Sequence, residues 1–88
     1  MTIELFGMAR ALVGSPAAEI AVQEPVRLGD LLAALATAHP NLIGTVLDES
    51  NQLIEPNVVL LDGRRAADRD QTITAEDKPC IILLPSGG

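Results

Sequence analysis

The sequence contains few of the residues from which binding and catalytic sites are usually built. Its 88 residues include one aromatic side chain, Phe6, one cysteine, Cys80, and one histidine, His39. A lone cysteine cannot close an internal disulfide, which favours a reducing compartment. One cysteine and one histidine also argue against a dedicated zinc site, and one aromatic ring offers no platform for stacked nucleic-acid bases.

Basic residues are also scarce, and no long hydrophobic run is present. Six Lys and Arg against twelve Asp and Glu give a formal net charge of −6, whereas a nucleic-acid binder needs basic surface to displace counterions. The longest run of strong hydrophobes, residues 80–84, is far shorter than the roughly 20 residues of a membrane-spanning helix. The first residues do not resemble a signal peptide. We therefore expect a cytoplasmic protein that binds neither nucleic acid nor membrane.

The apolar residues that are present follow two different periods. Residues 3–6 and 19–23 alternate between apolar and polar, which predicts two strands joined by a loop. From Leu28 the period lengthens to about 3.6, which predicts an amphipathic helix. That helix should end at His39, because a residue that precedes proline avoids the helical conformation.

The second half of the sequence contains further strand signals. Residues 41–56 are irregular, with a possible short helical turn, and residues 58–61 form an apolar run typical of a central strand buried on both faces. Asp62-Gly63 predicts a turn. Residues 64–66 predict a short edge strand, and residues 80–84 predict the last strand. The order of these elements is two strands, one helix and then strands that return to the same sheet. This order predicts an α+β, β-grasp (ubiquitin-like) fold, with one main helix across a mixed sheet of about four to five strands.

The chemical signal lies in the last four residues. We expect a β-grasp domain over residues 1–84 and a flexible tail made of Pro85, Ser86, Gly87 and Gly88. Glycines without side chains can thread a narrow channel, and the proline ring restricts the backbone before insertion. A carboxylate at Gly88 is a poor electrophile, so it needs activation, for example adenylation by ATP, before a nucleophile attacks it. A frayed end without function is the alternative interpretation of the same residues.

Four segments together resemble a known family. They are Leu5-Phe6-Gly7-Met8-Ala9-Arg10 followed by Leu12-Val13-Gly14, the helix segment Leu28-Gly29-Asp30-Leu31-Leu32-Ala33-Ala34-Leu35, the segment Val59-Leu60-Leu61-Asp62-Gly63-Arg64, and Gly87-Gly88. In this order they make the whole chain similar to the MoaD/ThiS-type sulfur carriers, and most of all to the small subunit of molybdopterin synthase. Two departures are Glu76-Asp77-Lys78-Pro79 before the last strand and a tail that is one or two residues shorter. Because of these two departures, a sulfur carrier for thiamin, cysteine or other sulfur metabolites remains an alternative to the synthase subunit.

The resemblance implies a carrier without catalytic side chains of its own. An E1-like adenylyltransferase would use ATP to adenylate the Gly88 carboxylate, which then becomes a thiocarboxylate. The tail, residues 85–88, would enter the large synthase subunit of a heterotetramer, or another sulfur-accepting enzyme, and donate the sulfur there. No bound cofactor and no metal site are expected in the carrier itself.

The predicted sheet holds more hydrophobic residues than one helix can cover. We therefore predict a docking face for the partner, formed by Phe6, Val59, Leu61, Ile82 and Leu84. Membership of the core is the alternative for each of these residues. Cys80 is expected to be a small core residue rather than a sulfur relay. For the whole chain, a β-grasp interaction module with an inert tail remains the alternative to a carrier.

Overall fold

The strands and helices were located in a computed structural model, which describes residues 1–66 and 68–84. The strands of this part are β1 (Thr2–Leu5), β2 (Ala17–Glu19), β3 (Val26–Arg27), β4 (Asn57–Leu61), β5 (Arg64–Arg65), β6 (Thr72–Ile73) and β7 (Cys80–Leu83). The helices are α1 (Gly7–Val13), α2 (Leu28–Ala38) and two short 3₁₀ helices, Pro40–Leu42 and Ala75–Asp77. The predicted tail, residues 85–88, lies outside the described residues.

The main sheet has five strands in the order β2-β1-β7-β4-β5. β1 and β7 are parallel, whereas the other neighbouring pairs are antiparallel. β3 and β6 form a separate two-stranded ribbon. A mixed sheet with one long helix packed against it confirms the predicted α+β, β-grasp fold.

Helix α2 covers one face of the sheet with the predicted apolar stripe. Its buried residues are Leu28, Leu31, Leu32, Leu35 and Ala36. They share one hydrophobic core with residues that the sheet contributes, including Ile3, Leu5, Val59, Leu61 and Ile81. Each fully buried leucine contributes about 1.5–3 kcal/mol. The helix ends at Ala38, with His39 as its C-cap, as the following proline predicts.

The connection between the first two strands contains a helix that the sequence pattern did not predict. α1 has seven residues and one buried side chain, Ala9, which is too short a segment for a helical period to stand out. Tertiary contacts hold its C-terminal end: the Asn41 side chain donates to the Leu12 carbonyl at 2.7 Å. The helix stops at Gly14, whose positive φ of 79° lets its N–H donate to the Arg10 carbonyl. The predicted loop is therefore wrong.

The second strand lies earlier than predicted. β2 pairs Ala18 with Ile3 and stops at Glu19, whereas the alternation placed the strand over residues 19–23. Ile20 is buried, as predicted, and its N–H donates to the Met1 carbonyl. Val22 is half-buried and follows the strand. The alternation of apolar and polar residues continues past Glu19. β1 is too short to pair with those additional residues, so the strand ends there.

The segment between α2 and β4 is irregular, as predicted, and still contributes to the core. Leu42, Val46 and Leu47 are buried, while Ile43 stays exposed. The Val46 and Leu47 N–H groups both donate to the Leu42 carbonyl. These contacts close the end of the core that α2 leaves open.

None of the helices within residues 1–66 and 68–84 is long and apolar enough to cross a membrane.

Candidate functional site: the outer sheet face and the base of the tail

The predicted reactive tail follows the central strand of the sheet. β7 lies between β1 and β4 and is hydrogen-bonded to both. After β7, the Leu84 N–H donates to the Pro56 carbonyl at 3.0 Å, so the chain is held as far as Leu84. Pro85, Ser86, Gly87 and Gly88, predicted as the threading segment with Gly88 as the reactive residue, lie outside the described residues.

The sheet face opposite α2, called the outer face from here on, carries two rows of paired side chains. Leu5 and Ile81 are fully buried on the core side, so their chain neighbours point to the outer face. Register pairs place Glu4, Cys80, Leu60 and Arg65 in a first row across four strands. A second row brings Ile82 opposite Val58, with Phe6 next to them at the end of β1.

Of the five residues predicted to form a docking face, the structure places three on the outer face and two in the core. Phe6 and Ile82 are half-buried on the outer face, and Leu84 is 38% exposed. Val59 and Leu61, by contrast, are 4% and 6% exposed and belong to the core beneath α2. Their side chains therefore leave no surface for a partner.

Leu60 is the outer-face residue that the sequence analysis missed. Four apolar residues in a row do not reveal which of them face the helix, so the alternation of β4 was assigned the wrong way round. The Asp62-Gly63 turn does not settle the alternation either, because it places Arg65 opposite Leu60 and Arg64 opposite Leu61.

Phe6 is flanked by a positive charge. The Arg10 guanidinium carbon lies 5.3 Å from the centroid of the Phe6 ring, within cation–π distance. The Arg10 Nε also donates to the Leu5 carbonyl at 3.0 Å, which fixes the guanidinium. The outer face thus combines an apolar centre with arginines at Arg10 and Arg65 and a carboxylate at Glu4, a composition typical of a protein interface.

Cys80 lies in the first row of the outer face rather than in the core. Burial raises the pKa of its thiol, the nearby Glu4 charge raises it further, and a hydrogen bond to the Leu60 backbone lowers it in part. The expectation of a core residue is thus corrected to a half-buried position. Because the thiolate is the nucleophilic form, a raised pKa does not suit a sulfur relay.

Over residues 1–66 and 68–84, no three His, Cys, Asp or Glu side chains come together as possible ligands.

Comparisons with known proteins identify relatives of this fold. Neither a protein-family model nor a curated protein matches the sequence. A crystal structure of small archaeal modifier protein 1 from Haloferax volcanii is 31% identical and covers 100% of this chain and 98% of its own, with a TM-score of 0.80. A second crystal structure of that modifier protein is 30% identical and covers 92% of both chains, with a TM-score of 0.77.

A more distant structure shares the fold. A proposed molybdopterin converting factor, subunit 1, from Pyrococcus furiosus is 22% identical, with a TM-score of 0.66 over 91% of this chain and 88% of its own. The identity and nearly complete coverage of the Haloferax modifier protein show more than a common fold. The chain belongs to the MoaD/ThiS-type family of ubiquitin-like proteins.

Proposed function

We propose that this protein is a sulfur carrier whose Gly88 carboxylate is adenylated and then converted to a thiocarboxylate. The tail delivers this sulfur in the active site of the large subunit of molybdopterin synthase, with this chain as the small subunit. The observation that carries the proposal is the agreement over the full chain with a modifier protein of 31% identity, combined with Gly87-Gly88 at the end of the sequence.

The geometry at the base of the tail supports the proposal. A tail that must enter a partner's active site needs a fixed starting point, since every residue that has to be ordered on binding costs free energy. β7 is paired on both sides, and Leu84 is hydrogen-bonded to Pro56. The four remaining residues can span at most about 14 Å, which sets the depth of the channel that they can reach.

The outer face supplies a surface for the activating enzyme. It adjoins the base of the tail, because Ile82 and Leu84 lie on the last strand and just after it. Phe6, Leu60 and Ile82 are half-buried apolar residues that a partner can cover completely. Docking there would hold the tail in front of an adenylation site, so we assign this face to the E1-like partner, which uses ATP.

A second destination for the activated carboxyl follows from the similarity to a modifier protein. An adenylated or thioester-linked Gly88 can be attacked by a lysine amine as well as by a sulfur donor. Attack by an amine forms an amide with another protein. The two outcomes share the activation step and differ in the nucleophile.

Intact mass spectrometry separates these possibilities. The purified chain is incubated with the E1-like enzyme of its source organism, ATP and a sulfur donor. We expect a product that is heavier by the difference between one sulfur and one oxygen atom, and fragmentation should place it at Gly88. A chain without Gly88 is the control and should not change. An unmodified wild-type mass under these conditions contradicts the proposal.

Complementation then tests the pathway. The gene should restore molybdenum cofactor in a strain that lacks the small synthase subunit, and the version without Gly88 should not. If the thiocarboxylate forms without complementation, the carrier serves another sulfur pathway, such as that of thiamin or cysteine.

The docking assignment has its own test. Leu60→Asp places a carboxylate in the centre of the outer face, where an interface would leave it without a partner. We expect it to lower the kcat/KM of adenylation at least about tenfold, which corresponds to about 1.4 kcal/mol. Thr45→Asp, on an exposed loop residue, adds the same charge elsewhere and should leave the rate unchanged. Equal rates for both folded variants would refute docking at this face.

A further inference from the structure

A cavity of about 300 Å³ opens at one edge of β4. β5 pairs there with Leu60 and Leu61, and within the described residues no other strand lies on that side of β4. Asn57, Val58 and Val59 all line the cavity. Since successive residues of a strand point to opposite faces, three in a row can line one cavity only where it lies against the edge of the strand.

The rest of the cavity wall combines apolar and charged side chains. Leu28 and Leu32 come from α2 and are almost fully buried, while Leu53 is half-buried in the segment before β4. Arg65 and Arg69 also line the cavity and are exposed. Ligand sites of proteins are concave and mostly apolar, with a few polar groups that fix orientation, and this cavity has the same composition.

An added β-strand is not the occupant that this edge favours. The Asn57 N–H already donates to the Ile54 carbonyl at 3.0 Å, and the Val59 carbonyl already accepts the Ala66 N–H at 3.0 Å. A strand that pairs with a sheet edge uses backbone groups that are still free. The cavity is therefore suited to a side chain or a small molecule rather than to a strand.

One polar atom of a wall residue lacks a hydrogen-bond partner. Asn57 is 5% exposed, and its Nδ2 donates to the Ile54 carbonyl at 2.8 Å. Its Oδ1 is buried and accepts no hydrogen bond from the residues that the structure describes. A buried carbonyl oxygen without a donor is unfavourable. A ligand that brings an N–H group to this oxygen is therefore favoured over a ligand without one.

The volume of the cavity indicates the size of the ligand. An apolar cavity of about 150 Å³ holds one benzene ring, so about 300 Å³ is suited to two fused rings. Indole has this size, an apolar body and a single N–H donor. A guanidinium group can lie over the face of such a ring, and Arg65 and Arg69 are present at the cavity to do so.

We propose that this cavity binds an indole ring, whose N–H donates to the Asn57 Oδ1. A tryptophan side chain of a partner protein and a free indole compound supply the same ring and the same donor. Gly88 takes no part in this site, so the proposal stands or fails separately from the proposed sulfur transfer.

Nuclear magnetic resonance tests the site with N-acetyl-tryptophanamide as the probe and the full, isotope-labelled chain. We expect nuclear Overhauser effects between the indole protons and the methyl groups of Leu28, Leu53 and Val59. The Kd should be millimolar, because a single ring makes few contacts. The protein has no Trp or Tyr, and its own rings are those of Phe6 and His39, so indole signals can be assigned without overlap.

A probe methylated at the ring nitrogen tests the hydrogen bond. It should bind at least about fivefold more weakly, because the Asn57 oxygen then stays without a donor. Asn57→Leu removes the acceptor, so both probes should bind this variant equally. Leu53→Asp places a charge in the wall and should abolish binding. Leu60→Asp, on the outer face, is the matched control and should leave the affinity for the unmethylated probe unchanged.

Three results on the wild-type chain would overturn the proposal: no contact at millimolar probe, contacts with Phe6 or Ile82 of the outer face instead, or equal affinity for the methylated probe. Free tryptophan then identifies the source of the ring, since its charged groups can pair with Arg69 and Glu55 at the cavity. Tighter binding of free tryptophan supports a free compound as the ligand. Equal or weaker binding supports a partner's side chain.

Discussion

Gly7→Ala tests how the start of α1 is fitted against the last strand. Gly7 has a φ of 61°, and an L-residue in that left-handed region costs about 1–2 kcal/mol. A Cβ at this position would lie 2.6 Å from Cδ1 of Leu83. Because Leu83 is 38% exposed, its side chain can turn away at a cost of about 0.5–1.5 kcal/mol. We expect a total loss of about 1.5–3.5 kcal/mol in the free energy of unfolding.

The chain offers a matched control for the strain alone. Gly14 has a φ of 79°, and nothing lies within 4 Å of the Cβ that an alanine would add there. Gly14→Ala should therefore cost only the backbone strain, about 1–2 kcal/mol. Urea unfolding followed by circular dichroism measures both variants, and in thermal unfolding each kcal/mol corresponds to roughly 4–8 °C for a domain of this size.

A double-mutant cycle isolates the contact with Leu83. In a Leu83→Ala background, which removes Cγ and Cδ1, Gly7→Ala should cost no more than Gly14→Ala. Two results would refute the reasoning: an equal cost of Gly7→Ala and Gly14→Ala in the wild-type background, or an unchanged cost of Gly7→Ala once Leu83 is shortened.

Two further predictions concern the thiol on the outer face and the core. Because burial and the Glu4 charge raise the pKa of Cys80, iodoacetamide should alkylate it slowly at neutral pH and faster only above the ordinary thiol range. Glu4→Gln should shift that pH profile downwards, and an unshifted profile would contradict the contribution of Glu4. Leu35→Ala removes a side chain with 0% exposure and should cost about 2–5 kcal/mol in urea unfolding. Thr37→Ala, on the exposed side of the same helix, should cost less than about 1 kcal/mol.

The sequence predicted the elements whose side chains repeat over enough residues. α2 has eleven residues and five buried side chains on one face, so the helical period of its apolar residues is clear in the sequence. Pro40 marks where the helix ends. α1 has seven residues and one buried side chain, and a hydrogen bond from Asn41 to the Leu12 carbonyl stabilises it. Such contacts join residues that are distant in sequence, and a local pattern does not contain them.

The pairing of β3 with β6 was missed for a related reason. Each strand has two residues, and Val26 pairs with Ile73 across a large gap in sequence. Two residues cannot show alternation. The ribbon depends on where α2 begins, since the Leu28 N–H donates to the Gln71 carbonyl and the Gly29 N–H to the Arg69 carbonyl.

The base of the tail depends on residues at both ends of the chain, which sequence order alone does not reveal. Gly7 belongs to the segment that resembles the sulfur carriers. The structure gives its residue type a physical reason, since a side chain there would displace Leu83, the residue before Leu84. The Phe6 N–H, one residue earlier, donates to the Ile81 carbonyl. The first strand and the start of α1 therefore hold β7 in place as far as Leu83, and a glycine near the start of the chain helps to position the strand that precedes the proposed reactive residues.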